Sequence, residues 1–467
     1  MKLNIIHTND IHSHFENFSR ATSLIRDYSN EETLIIDGGD FADFRSIELQ
    51  GTRGIAAVKM LESAGYEAIT IGNNELFNGN DTLEHMAMNS SVPFISCNLR
   101  KANGEFFRGV KSSTIIHKNG LRILVTGASP DLQEFNELMG FQILDYKEAI
   151  RDEIWKQRNR YDVCIVLNHI GTEADIELAE AIDEIDVILS AHDHVLYQEA
   201  KVVNGTILNS AGMYGEHIGI VEMEYSHDSI DLLASSAIPT SKSSKDDHIQ
   251  KLLDKSKAEA IANLSEPLYS ISEILWHDIL EENPLSNLIA DGLKDRFKSD
   301  IGLINSGIVN GGIVEFVSNK KLIEICPSPL NPTYFEIQGK DLRAALESSL
   351  DSSICMSDGK GPGFRGKYVG RLHISGAEIL HDRKRVITIL VKGEPLELER
   401  WYSVASSDYL LRGSGYPDLA NNRNFAYQPD EIKDVIREYV EKQNFVTNAF
   451  KNRWMVESSI HTEIQQQ

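Results

Sequence analysis

Four cysteines, Cys97, Cys164, Cys326 and Cys355, are spread through 467 residues, and no two have the spacing of a metal knuckle or a redox pair. They read as reduced core residues, which excludes a disulfide scaffold. Basic side chains are also scarce: 46 Lys and Arg face 70 Asp and Glu, a formal charge of −24. No basic patch is set aside, so neither a nucleic-acid partner nor nuclease activity is expected, because a net anion repels a polyanion. No window approaches the ~20 consecutive apolar residues of a membrane span, so no membrane association is expected. No apolar signal core follows Met1-Lys2-Leu3-Asn4-Ile5-Ile6-His7-Thr8-Asn9-Asp10, which makes the cytoplasm the expected location. The chain has no repeat at a fixed period, and no low complexity beyond a Ser/Lys stretch after Pro239 and the terminal Gln465-Gln466-Gln467.

What remains is ordinary for a globular protein, with 41% apolar and 25% charged residues. At roughly 150 residues per domain the length implies two or three domains with large cores. Runs rich in Ile, Val and Leu at 3–7, 33–36, 68–71, 163–167 and 187–189 each end in a small or polar cluster, as strands buried on both faces do. Helical patterns at 55–64 and 173–182 lie among them, so residues 1–240 read as an α/β domain. Asp246-Asp247 then opens a helical stretch carrying Ile249, Leu252 and Leu253, read as a linker helix within 241–265. Residues 266–467 read as a second domain of mixed strands and helices. Near its end Ile432, Val435, Ile436, Tyr439 and Val440 have the i, i+3, i+4, i+7, i+8 spacing of a helix with one buried face.

The chemistry-bearing residues follow the five strand-like runs. Asp10 and His12 follow the first, Asp40 the second, Asn73 the third, His169 the fourth, and His192 with His194 the fifth. Carboxyl ends of strands in α/β sheets converge on a crevice, so residues far apart in sequence can meet there as ligands. Carboxylate oxygen, amide oxygen and imidazole nitrogen without thiolate suit two borderline divalent ions, manganese first, then zinc, iron or cobalt. Two such ions against two aspartates also give an acidic chain a positive pocket for an anion. His7 and His117 read as ordinary structural histidines.

In order, Thr8-Asn9-Asp10-Ile11-His12, Gly39-Asp40, Gly72-Asn73-Asn74-Glu75, Asn168-His169 and Ala191-His192-Asp193-His194 resemble the motifs of the metallophosphoesterases. The second half resembles the C-terminal domain of the 5′-nucleotidase family, which includes the bifunctional UDP-sugar hydrolases. The resemblance lies in Glu282-Asn283-Pro284-Leu285-Ser286-Asn287, Asn305-Ser306-Gly307, Gln338-Gly339-Lys340-Asp341-Leu342, Ser407-Asp408-Tyr409 and Gly413-Ser414-Gly415-Tyr416. It implies an N-terminal four-layer αββα sandwich, a linker helix and a C-terminal α+β domain. It further implies that Asp40 bridges two ions, with Asp10, His12 and His194 completing one site and Asn73, His169 and His192 the other. A bridging water or hydroxide would then attack phosphorus in line. The resemblance also implies that Asn305, Gly307, Asn310, Tyr409 and Gly413 fall at substrate-facing positions.

The chain departs from the family at several of these. The family pattern Gly-Asn-His-Glu-Phe-Asp places a catalytic His where this chain has Asn74 and its orienting Asp where it has Phe77. An amide donates a hydrogen bond but cannot be a general acid, and His14 is the candidate replacement. Two phosphate-binding arginines of the family are Glu281 and Asn310 here, the first base-stacking aromatic is Ser328, and the sugar-binding Asp is missing beside Gly413. The expected activity is metal-dependent hydrolysis of a small-molecule phosphoester, a nucleotide or a relative of one. The alternative is a metal-binding family member of little catalysis, serving as a ligand sensor or partner-binding module.

Overall fold

The computed structural model describes residues 1–227 and 229–457; Gln465-Gln466-Gln467 lies outside the described residues. The chain divides into two compact units, Met1–Asn263 and a second from Leu264 onward.

In the first unit two sheets lie face to face. One orders its strands Ser229–Pro239, His217–Ser226, Lys2–Thr8, Thr33–Asp37, Ala68–Thr70, Phe94–Ile95 and Val110–Lys111. The other runs Lys201–Val203, Thr206–Asn209, Val187–Ser190, Val163–Asn168, Leu121–Ala128 and Ser113–Lys118. The five expected strands are all present, and their neighbours Lys2–Thr8/Thr33–Asp37/Ala68–Thr70 and Val163–Asn168/Val187–Ser190 pair in parallel. Three of the five belong to one sheet and two to the other.

The alternation of side chains along each strand builds the layers. Leu3, Ile5, Leu34 and Ile36 from the first sheet meet Ile123, Val125, Ile165, Leu167 and Leu189 from the second in a core between the sheets. Outside the first sheet, helices Phe15–Tyr28 and Ile55–Ala64 pack through residues such as Phe18, Ile25, Val58 and Leu61. Outside the second, helices Tyr146–Gln157 and Thr172–Ala181 pack Ile150, Ile154 and Leu178 on Leu124, Val166 and Ile188. The result is the four-layer αββα sandwich.

Within 241–265, read from the sequence as the linker helix, the helix proper is Asp247–Ser265, capped by Asp246 Oδ1 accepting from His248 N and Ile249 N. Ile249 and Leu253 lie in the helical core outside the first sheet, and a Cβ on Gly51 would collide with Ala260. This helix is therefore packed on the first unit down to Asn263.

The second unit is α+β. Its five-stranded sheet orders Leu372–Ser375, Ile301–Asn305, Trp401–Ser407, Pro332–Gln338 and Asn422–Tyr427, and a four-stranded sheet ends on Trp454–Val456. Helix Pro284–Phe297 opens with Pro284 in its first turn and the Asn283 side chain accepting from Ser286 N at 3.0 Å. Helix Ile432–Val440 buries all five residues of its apolar stripe. Among the described residues no helix is long and apolar enough to cross a membrane, and all four cysteines are free and buried.

Candidate metal centre

The strand ends that carry Asp10, His12, Asp40, His192 and His194 turn sharply, and each of these residues has a positive φ, 52°, 46°, 54°, 85° and 60°. L residues occupy this left-handed region at a cost of roughly 1–2 kcal/mol each. Other residues of the chain share this conformation, but here five polar side chains that adopt it lie at strand ends close to one another. The turns are cross-linked: Asp10 N donates to Gly39 O at 2.9 Å, and His12 N donates to Asp40 O at 2.8 Å.

The side chains converge in two sets. Asp10, His12 and His194 form one, and Asp10, Asp40 and His169 the other, the donor atoms of each lying within 4.8 Å of one another. Asp10 Oδ1 belongs to both sets. Asp40 Oδ2 lies 3.4 Å from His169 Nε2 and 3.7 Å from His12 Nε2, so it reaches one histidine of each. His192 stands outside these sets, with Nδ1 3.0 Å from Asn73 Oδ1 and its ring centroid 5.2 Å from that of His169.

Two features fit these residues to cations. His169 is fully buried, its Nδ1 donates to Gly38 O at 2.8 Å, and its Nε2 has no hydrogen-bond partner while it faces two carboxylates. A histidine ligand is oriented in this way, one nitrogen tied to a carbonyl and the other presented to the ion. His12 Nε2 and His194 Nε2 also lie 3.2 Å apart, grouped with the Asp10 carboxylate. The electrostatics agree. Burial pushes the His169 imidazole down, but Asp40 and then Asp10 outweigh it and raise its pKa to about 10. Burial would raise Asp40 as well, yet the His169 charge and hydrogen bonds hold it below the usual carboxylate range. Two buried carboxylates therefore demand positive charge, which divalent ions supply.

Supporting groups set the loops. Glu75, fully buried, accepts from Gly72 N, Asp40 N and Ala42 N at 2.9, 3.1 and 2.8 Å. Burial and the nearby Asp40 charge raise its pKa to about 7. Asp175 ties Asn168 to Ser190, which fixes the ends of the two strands that precede His169 and His192. Gly72 is required by close approach, since a Cβ there would collide with Asp40 Oδ1 and its backbone nitrogen. Gly72→Ala is therefore expected to displace Asp40 and weaken manganese binding at least about tenfold, the upper range for lost support of a ligand being about 100-fold; calorimetric titration with Mn²⁺ checks this, and unchanged affinity would refute it.

The two residues considered as catalytic are placed differently. Asn74 lies in the centre: its backbone N–H and its amide nitrogen donate to Asp40 Oδ1 and Oδ2, both at 2.8 Å, and that nitrogen lies 3.0 Å from His12 Nδ1. His14 is exposed, with Nδ1 3.1 Å from His12 O and 3.2 Å from Ile11 O, and it stacks on Tyr214 at 4.0 Å between ring centroids. Tyr214 is the residue that sequence reasoning missed. Its ring lies 5.7 Å from His12 and 6.2 Å from His194, and its N–H donates to Asp10 O at 2.7 Å. Its one local signal is Gly212-Met213-Tyr214-Gly215, a turn after a strand of the same sheet as Val187–Ser190.

In the second unit the substrate candidates take three settings. Asn305 and Gly307 are buried in the turn after Ile301–Asn305, with Asn305 Nδ2 donating to Val369 O at 2.6 Å. Tyr409 is completely buried. Asn310 is exposed, and Gly413, with φ 73°, turns the chain after helix Asp408–Leu411.

Comparison with known proteins agrees with this architecture. Residues 3–196 match the calcineurin-like phosphoesterase family, and residues 261–421 match the 5′-nucleotidase C-terminal domain. An uncharacterized metallophosphoesterase of Bacillus subtilis strain 168, YunD, is 30% identical over 93% of this chain and 98% of its own length. Among solved structures, a 5′-nucleotidase precursor from Thermus thermophilus superposes with a TM-score of 0.56 at 20% identity, over 98% of this chain and 99% of its own. The NAD nucleotidase of Haemophilus influenzae gives 0.61 at 16% identity, over 98% and 97%.

Proposed function

Because the chain belongs to the metallophosphoesterase family, its second half being a 5′-nucleotidase C-terminal domain, we propose that it is a phosphohydrolase with a two-metal centre. Asp10, His12, Asp40, Asn73, His169, His192 and His194 would hold the ions, with manganese preferred and zinc, iron or cobalt able to substitute. The observation that carries this reading is the fully buried His169 Nε2, which has no hydrogen-bond partner and stands 3.4 Å from Asp40 Oδ2 and 3.9 Å from Asp10 Oδ1. When bound, divalent ions supply an activated water and neutralise charge on the phosphoryl oxygens. The substrate is a small-molecule phosphoester, in the class that includes nucleotides. Free buried cysteines fit a reducing compartment, the cytoplasm.

The chain's own residues set the limits of the chemistry. The Asn74 side-chain amide is engaged by Asp40 Oδ2 and stands 3.0 Å from His12 Nδ1, and an amide has no proton to release to a leaving group as a general acid does. His14 Nδ1 is engaged by backbone carbonyls. Esters of acidic alcohols, which leave without a proton, are therefore the favoured substrates. The test is hydrolysis of p-nitrophenyl phosphate and its bis-ester by manganese-loaded protein. Activity that disappears on chelation and returns with metal supports the reading, and its absence with both ions bound overturns it.

A second experiment probes the departure itself. Replacing Asn74 by His and Phe77 by Asp should supply a general acid, a contribution typically of 10²–10⁴-fold. Phe77 is 48% exposed, so the change has little cost in packing. The double variant is expected to hydrolyse an alkyl phosphate about 10²-fold faster while leaving p-nitrophenyl phosphate nearly unchanged. Equal effects on both esters would show that leaving-group protonation is not what the chain lacks.

A further inference from the structure

The loop 358–370 contains Gly359, Gly361, Gly363, Gly366 and Gly370, a composition that would leave an unsupported loop flexible. Here it is fastened at several points. Asp358 bridges to Tyr368, and Gly359 N donates to Lys367 O at 3.1 Å. Arg365 N donates to Ser328 Oγ at 3.0 Å, and Arg412 Nη2 donates to Pro362 O at 3.1 Å. The loop is also built onto the Asn305–Gly307 turn without spare room: a Cβ on Gly307 would collide with the Tyr368 and Val369 carbonyls, and one on Gly366 with Gly307 O.

These fastenings hold Phe364 flat on Tyr409, with ring centroids 4.3 Å apart and an interplanar angle of 24°. Tyr409 has no exposed surface, and its hydroxyl has no hydrogen-bond partner. A planar ring inserted between two aromatic rings needs them about 7 Å apart, twice the contact distance of about 3.5 Å. The observed stack leaves no such gap. A planar group could lie on Tyr409 only by displacing Phe364, and with it the Arg365 and Pro362 attachments.

We propose that Phe364 is a specificity-determining residue that closes the Tyr409 face to nucleobases, so that the phosphoesters this chain accepts carry an alcohol without a base. This rests on the reading of Tyr409 and the Asn305–Gly307 turn as substrate-facing. Ser328 is part of the device, because its hydroxyl accepts the Arg365 N–H and an aromatic side chain at that position could not. Glu281 is exposed, as is Asn310, and neither offers a cation to a nucleotide phosphate.

The test is calorimetric titration of the full-length, manganese-loaded protein with adenosine, which has a base but no phosphate to hydrolyse. The unaltered protein is expected to show no saturable binding up to about 1 mM. Phe364→Ala is expected to bind at least about tenfold more tightly, and Phe364→Leu, which keeps an apolar cover, to behave as the unaltered protein does. Should Phe364→Ala fail to fold, Arg412→Ala, which releases Pro362 O, is expected to gain affinity instead. Tight adenosine binding by the unaltered protein, or no gain in a folded loop variant, overturns the proposal. Since no turnover is read, this failure is separable from failure of the phosphoesterase reading, which the nitrophenyl esters test.

Discussion

Asp40→Asn is expected to lower the turnover of p-nitrophenyl phosphate by about 10³-fold or more, equivalent to about 4 kcal/mol of barrier. Asparagine has the same shape, so the backbone bond from His12 N to Asp40 O and the left-handed turn at φ 54° are retained, asparagine being among the residues that best tolerate that region. What is lost is one negative charge from an atom 3.4 Å from His169 Nε2 and 3.7 Å from His12 Nε2. That atom, like Asp10 Oδ1, reaches a histidine of each donor set, and it also accepts from the Asn74 amide. Steady-state assays paired with manganese titration check this, and the far-ultraviolet spectrum should be unchanged. A variant that keeps more than about a tenth of the turnover would show that Asp40 is not central to the reaction.

The candidate ligands stand out in the sequence because each follows an apolar run that reads as a buried strand, and strand ends in parallel sheets gather polar residues at one edge. Which sheet each strand joins could not be read. Residues 3–7 and 163–167 have the same local pattern, yet the structure places them in different sheets, with Ile5 and Ile165 both in the core between the sheets. Hydrophobic periodicity reports burial and not pairing partners. The same limit hid Tyr214, whose position beside His12 comes from a backbone bond to Asp10, more than 200 residues away in sequence. Tyr409 was legible as an aromatic candidate, but its cover, Phe364, comes from a glycine-rich loop that carries no periodic signal. Asn74 was legible as a departure, and its two bonds to Asp40 become visible only in the structure.

Arg453→Met is expected to lower the stability of the second unit by about 3–5 kcal/mol, the usual effect of removing one partner from a buried ion pair. Arg453 Nη2 donates to Asp291 Oδ2 at 2.7 Å, with the side chains 7% and 4% exposed. Its Nη1 also donates to Ile374 O at 2.8 Å, and its backbone N–H bonds to Glu282. These bonds fasten the strand Trp454–Val456 beside Ala377–His381 and next to helix Pro284–Phe297. With methionine, Asp291 keeps Ser375 and Asn448 as donors but loses its countercharge. For a domain of this size each kcal/mol shifts the midpoint by roughly 2–4 °C, so its thermal transition should fall by roughly 10 °C. Calorimetry identifies the transition, because added manganese should raise only that of the first unit. The double variant Arg453→Met with Asp291→Leu removes both charges and should be less unstable than the sum of its single changes. Additive losses would show that the pair is not coupled, and that the last strand is held by packing and by Glu282 alone.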